Sequence, residues 1–174
     1  EEKASPGYYA ATLADRDCSF EVTARPKAAC HRYRFHSDKG RISVDVKHVG
    51  VRPKAGCGKR GIEKCQKCKI KRIASDRWSG TVRFHMLDFH FSIYAKAKHL
   101  KSSEKDGVIT FEIEGNDAET FIGFSLVDIK TAEKRVDEAI RIGFDGSRQE
   151  AENAWERALS RIRARFSDET LARR

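Results

Sequence analysis

The chain has 174 residues, 35% of them charged and 39% hydrophobic, and carries a formal net charge of +9. That length suffices for one domain with its own core. The sequence contains no run of apolar residues long enough for a membrane-spanning helix. Five cysteines, an odd number, exclude a domain stapled throughout by disulfides, while one or two bridges stay open.

The first half alternates apolar and polar residues between turn signals, the pattern of half-buried strands. Strands are predicted over Gly7–Leu13, Cys18–Arg25, Cys30–His36 and Arg41–Val46. Ala14 to Asp17, Pro26-Lys27 and Ser37 to Gly40 supply the breaks. In the third strand Cys30, Arg32, Arg34 and His36 share one face, and His31, Tyr33 and Phe35 the other.

From Val51 to Lys69 the alternation fails. Pro53, Gly56, Gly58, Gly61 and many lysines predict an irregular exposed excursion, placed at about 48–69. Between Lys47 and Arg72 the basic residues face a single acid, Glu63, so much of the positive charge sits here. A charge run of this kind is ordinarily a solvated surface. Cys65 and Cys68 are spaced to point at one centre, and His48 and Cys57 would complete a tetrahedral zinc set. Neighbouring lysines favour the thiolates that zinc requires. Free thiols or one local disulfide fit the same residues. The basic residues would also neutralise phosphates, with Tyr33, Phe35 or Trp78 stacking bases. Those aromatics recur at strand spacing, as core residues do, and no nucleic-acid motif is present, so nucleic acid is not the expected partner.

Strands resume over Lys69–Ala74, Thr81–Leu87, Phe89–Ala97, Val108–Glu114 and Phe121–Val127. The period then changes to that of helices. Ala132, Val136, Ala139 and Ile140 share one face of a helix that Thr131 would cap. Ser147 and Glu150 form a capping-box pattern ahead of a second helix. Its stripe is Ala151, Ala154, Trp155, Ala158, Leu159, Ile162 and Phe166, and it reads as a packing surface.

The fold expected is therefore mainly β, an antiparallel sandwich (supersandwich-like) followed by two C-terminal α-helices. Residues 1–127 are expected to form the sandwich, and 128–174 a helical linker segment. The sequence starts at Glu1 without Met and reaches Arg174 without a helix stop signal, as expected of one domain of a larger protein. His85 and His90 lie five residues apart on what read as consecutive strands, where they need not meet. Nucleophile-elbow, phosphate-loop and dinucleotide motifs are missing.

Several segments together resemble a known family. Ala4-Ser5-Pro6-Gly7-Tyr8-Tyr9, Glu21 to Arg25 and His31-Arg32-Tyr33-Arg34-Phe35 are similar to the N-terminal β-sandwich domain of glycoside hydrolase family 92. Phe91 to Ala95, Phe121 to Ser125, Val127 to Val136 and Asp145 to Ile162 resemble later segments in the same order. The region from Val51 to Arg83 has no counterpart. The resemblance implies calcium-dependent, exo-acting, inverting α-mannosidases that are secreted or periplasmic. It also implies that the acid, base and calcium ligands lie in the absent catalytic domain, so this chain holds no catalytic residue and is inactive alone. Its expected role is to wall the mannose site and to pack on the catalytic domain through the Trp155 helix, or to self-associate through that helix. The alternatives are a free-standing carbohydrate-binding module and a zinc-stabilised nucleic-acid-binding protein.

Overall fold

A computed structural model of the chain describes residues 1–47, 67–84 and 87–161. Its strands are β1 (Glu2–Ser5), β2 (Tyr8–Leu13), β3 (Cys18–Arg25), β4 (Ala28–Phe35), β5 (Lys39–Asp45) and β6 (Lys67–Ala74), then β7 (Arg77–Phe84), β8 (Leu87–Lys96), β9 (His99–Lys105), β10 (Val108–Glu114) and β11 (Asp117–Ser125). One helix, α1 (Ile129–Leu159), follows. An eight-stranded sheet has the order β1-β2-β3-β4-β11-β8-β7-β6, and a three-stranded sheet the order β5-β10-β9. Every pairing is antiparallel.

Period-two alternation sends successive side chains to opposite faces of the large sheet, and both faces are covered. On one face Ile109, Phe111 and Ile113 of β10 form a single core with Trp78, Val82 and Phe84 of β7 and Phe91, Ile93 and Ala95 of β8. On the other, Tyr8, Ala28, Cys30 and Phe121 meet Val136, Ala139 and Phe144 of α1. The result is three layers: small sheet, large sheet, helix. Strand β11 is central, so Ala118 and Phe121 serve opposite layers and its apolar run is nearly continuous. Burying Phe111 and Phe121 contributes about 1.5–3 kcal/mol each.

The helical part corrects the sequence reading: there is one helix rather than two. Gly143 takes a non-helical conformation (φ 76°, ψ 175°) that kinks α1, and a positive φ is what glycine tolerates best. The buried residues Ala132, Val136 and Ala139 before the kink and Phe144, Ser147 and Ala151 after it are offset by one residue from a continuous helical stripe; the kink at Gly143 takes up that offset, so both arms lie on the sheet with no loop between them. The cap is Asp128, whose carboxylate accepts from the Thr131 N–H at 2.7 Å; Thr131 itself lies within the first turn. Ser147 is buried beside the Cys30 thiol, and Glu150 pairs with Arg25, so neither caps a second helix.

Two strands are absent from the sequence reading. Glu2–Ser5 is exposed throughout, and His99–Lys105 offers only Leu100 as an apolar inward residue, so neither shows hydrophobic alternation. Strand β7 begins at Arg77, ahead of the predicted Thr81, although Ser79-Gly80 looks like a turn. A Cβ at Gly80 would fall 2.3 Å from the Lys69 carbonyl oxygen and 2.7 Å from the Phe91 ring, so a tight strand crossing requires the glycine.

Candidate functional site

The helix-facing side of the large sheet carries a group of paired charged side chains centred on Arg32. Its Nη1 and Nη2 donate to the Asp145 carboxylate at 3.0 and 2.8 Å, and its Nε donates to Glu119 at 3.1 Å. The guanidinium also lies 4.3 Å from the centroid of the Phe144 ring, just beyond the kink. This pairing holds the Asp145 carboxyl below the usual carboxylate range and raises the Arg32 pKa, chiefly through the Asp145 hydrogen bond. Beside it, Tyr8 donates to Glu21 at 2.7 Å while Arg148 lies 3.7 Å above the Tyr8 ring. Burial, then Glu21, pushes the Tyr8 phenol up, so it stays protonated. Each carboxylate here faces a guanidinium or a phenol, which makes the cluster a clamp holding α1 on the sheet.

The zinc candidates fare unevenly. His48, Cys57 and Cys65 lie outside the described residues, as does His85. Cys68 stands on β6, half-buried against the sandwich core. Among the described residues no three His, Cys, Asp or Glu side chains are placed to hold a metal. Cys18 and Cys30 are buried in different layers, and burial pushes both thiols up. His90 bonds Thr81 across β7–β8 at 2.8 Å. His31 lies 3.3 Å from Thr120, and burial drives its pKa down.

The end of α1 differs from its beginning. After buried Ala151, the apolar residues Ala154, Trp155, Ala158 and Leu159 are all exposed, Trp155 at 50% and Leu159 at 53%. Ile162 and Phe166, predicted to extend this stripe, lie outside the described residues. A cavity of about 390 Å³ opens beside Trp155, between the helix and the β3–β4 turn at Arg25-Pro26, and the Arg25–Glu150 ion pair lines it. Phe124, Leu126, Val127 and Ile129 add exposed apolar surface where β11 passes into α1. Large apolar side chains are thus exposed near both ends of the helix.

The family model for the Glycosyl hydrolase family 92 N-terminal domain matches residues 1–149. The chain belongs to this family. Among solved structures, a family GH92 α-mannosidase from Bacteroides thetaiotaomicron superposes with a TM-score of 0.69 at 19% identity. That match covers 94% of this chain and 25% of the other. A family GH92 inverting mannosidase from Bacteroides thetaiotaomicron VPI-5482 gives 0.70 at 12% identity, covering 96% and 24%. The chain thus spans about a quarter of the length of these two proteins, and at such identities the likeness is one of fold. No curated protein sequence matches it.

Within this family 92 domain, the sequence reading missed the Arg32 clamp. A signal was present. Arg32 faces Phe121's layer by strand parity, and Asp145 directly follows the apolar Phe144, but the pairing spans 113 residues and the register alone decides it.

Proposed function

We propose that the chain is the non-catalytic N-terminal domain of an exo-acting, inverting α-mannosidase, secreted or periplasmic. In this reading it supports the catalytic domain and walls the pocket that admits a terminal mannose. The family match over residues 1–149 carries the reading, and the open apolar face at the end of α1 supports it. Inversion needs one carboxylic acid on the leaving oxygen and one carboxylate activating water across the ring. Glu119 and Asp145 are engaged by Arg32, and no residue of this chain is assigned to either task. The resemblance implies that the calcium ligands lie in the catalytic domain, and none is assigned to this chain.

The test compares the isolated chain with the full-length protein on an aryl α-mannoside. We expect turnover only from the full-length protein. Hydrolysis by the pure isolated chain overturns the non-catalytic role, and silence of the full-length protein on α-mannosides overturns the substrate. A second measurement addresses the apolar face at the end of α1. Trp155→Ser with Leu159→Ser should leave the isolated chain's stability within about 1 kcal/mol, since both side chains are half-exposed there. In the full-length protein the same pair should cost several kcal/mol, about 1.5–3 for each newly unburied side chain.

A further inference from the structure

At the opposite end of the sandwich from these contacts, the tips of both sheets enclose a cleft of about 930 Å³. Its floor is apolar, formed by Ala95, Ala97, Leu100 and Ile113, and Tyr94 lines one side. Its rim is cationic. Lys39, Lys96, Lys98 and Lys101 surround the opening, and none has a carboxylate within 4 Å among the described residues. Arg41 is paired with Glu112 at 3.6 Å.

The acids are not scattered. Strand register places Glu114 between His99 and Lys39, and Glu112 between Lys101 and Arg41, so Glu112 has a cation on either side and Glu114 has one, Lys39. Asp76 faces the same cleft from the β6–β7 turn. That turn is tied to both sheets: Trp78 Nε1 donates to Ser102 Oγ at 2.9 Å, and Ser102 Oγ donates to the Ser75 carbonyl at 2.5 Å. The Ala95 N–H adds a bond to the Asp76 carbonyl at 2.9 Å. The cleft is therefore held open by the fold. Tyr94, its phenol pushed up by burial and then by Asp76, remains a hydroxyl donor.

We propose that this cleft binds an acidic oligosaccharide of the uronic acid type. Unpaired lysines on the rim supply charge-assisted donors for sugar carboxylates, and a concave wall concentrates their field. Asp76, Glu112 and Glu114 line the same cleft and can accept hydrogen bonds from sugar hydroxyls, in which a uronic acid oligomer is rich and a DNA phosphodiester backbone is poor. Among the described residues Tyr94 is the one Phe, Tyr or Trp side chain lining the cleft, with the His99 imidazole as the other ring, so no row of large rings is offered there for successive bases to stack on. Mixed acids and bases over an apolar floor suit a ligand that is both polyhydroxylated and anionic. This site is separate from the mannosidase reading and stands or falls without it.

The experiment is calorimetric titration of the isolated chain at low and high salt with a galacturonate tetramer, with neutral mannotetraose and with a single-stranded oligonucleotide of equal charge. We expect the uronate to bind at least about tenfold tighter than mannotetraose, with affinity falling as salt rises. Lys96→Ser/Lys98→Ser/Lys101→Ser should weaken it about tenfold or more, while Lys130→Ser/Lys134→Ser on the helix should not. Circular dichroism checks that the rim variant folds, and Lys39→Ser, on the opposite side of the opening, repeats the test should it not. Equal weakening by both lysine sets, equal affinity for the neutral sugar, absence of saturable binding, or tighter binding of the oligonucleotide each overturns the proposal.

Discussion

Phe144→Ala tests how the helix is held. Phe144 is 1% exposed, sits directly after the kink and takes the Arg32 guanidinium on its ring at 4.3 Å. Removing a buried phenyl costs about 3–5 kcal/mol, because lost transfer energy and an unfilled cavity add. Loss of the cation–π contact contributes about 0.5–2 kcal/mol more at a site that is partly desolvated. Against a domain stability of about 5–15 kcal/mol, that is a large share. The damage should also be unevenly distributed. Phe144 belongs to the helix-side core, whereas Trp78 belongs to the core between the sheets. In a Trp155→Phe background Trp78 is the one remaining tryptophan, and its fluorescence reports the sandwich. Urea titration should then show the 222 nm helical signal lost at lower urea than the Trp78 signal, whereas the Phe144 parent loses both together. A fall of less than about 1 kcal/mol would refute the anchor itself. Coincident transitions in the variant would refute the separation of the two cores.

Gly123→Ala should destabilise by about 1–3 kcal/mol, since its Cβ would stand 2.7 Å from the Ala132 carbonyl oxygen and 2.9 Å from Val136 Cγ2; thermal melting reads it, and an unchanged Tm refutes the close contact. Burial depresses the His31 pKa below 6.5, so the unfolded chain takes up a proton that the folded chain refuses. Stability should therefore fall as pH drops from about 6.5 toward the lowered folded value and then level off, and His31→Gln should remove that slope from the urea midpoints. Asp145 has the opposite cause and the same direction. Arg32 lowers its folded pKa below 3.8, so its contribution is complete above that value and is lost as pH falls through the folded pKa. Asp145→Asn should flatten that acid limb, and an unchanged acid-unfolding curve would show that the ion pair contributes nothing in solution.

Alternation along Cys18–Arg25, Cys30–His36 and Val108–Glu114 is enough to read a mainly β chain, and the shift to a 3.6-residue period after residue 130 is enough to read a helical end. The order of short segments from Ala4 to Ile162 is enough to read the family, because order survives when identity falls below a fifth. Edges carry less. Glu2–Ser5 and His99–Lys105 become strands only because a neighbour offers hydrogen bonds, and nothing in EKAS or HLKSSEK demands it. The Ser147–Glu150 pair suggests a second helix, yet a kink at Gly143 that takes up a one-residue offset in the buried stripe keeps Phe144 seated, which a loop would not. Two things were decided by the tertiary structure alone. One is the meeting of Arg32 with Asp145 across 113 residues, which depends on the register of β4 against β11 and on where the helix lands. The other is the lysine-rimmed cleft, whose parts come from six separate strands and turns that are neighbours only once both sheets have stacked. Local periodicity follows from backbone geometry and can be read along the chain, whereas convergence of distant charges follows from packing, which no single segment contains.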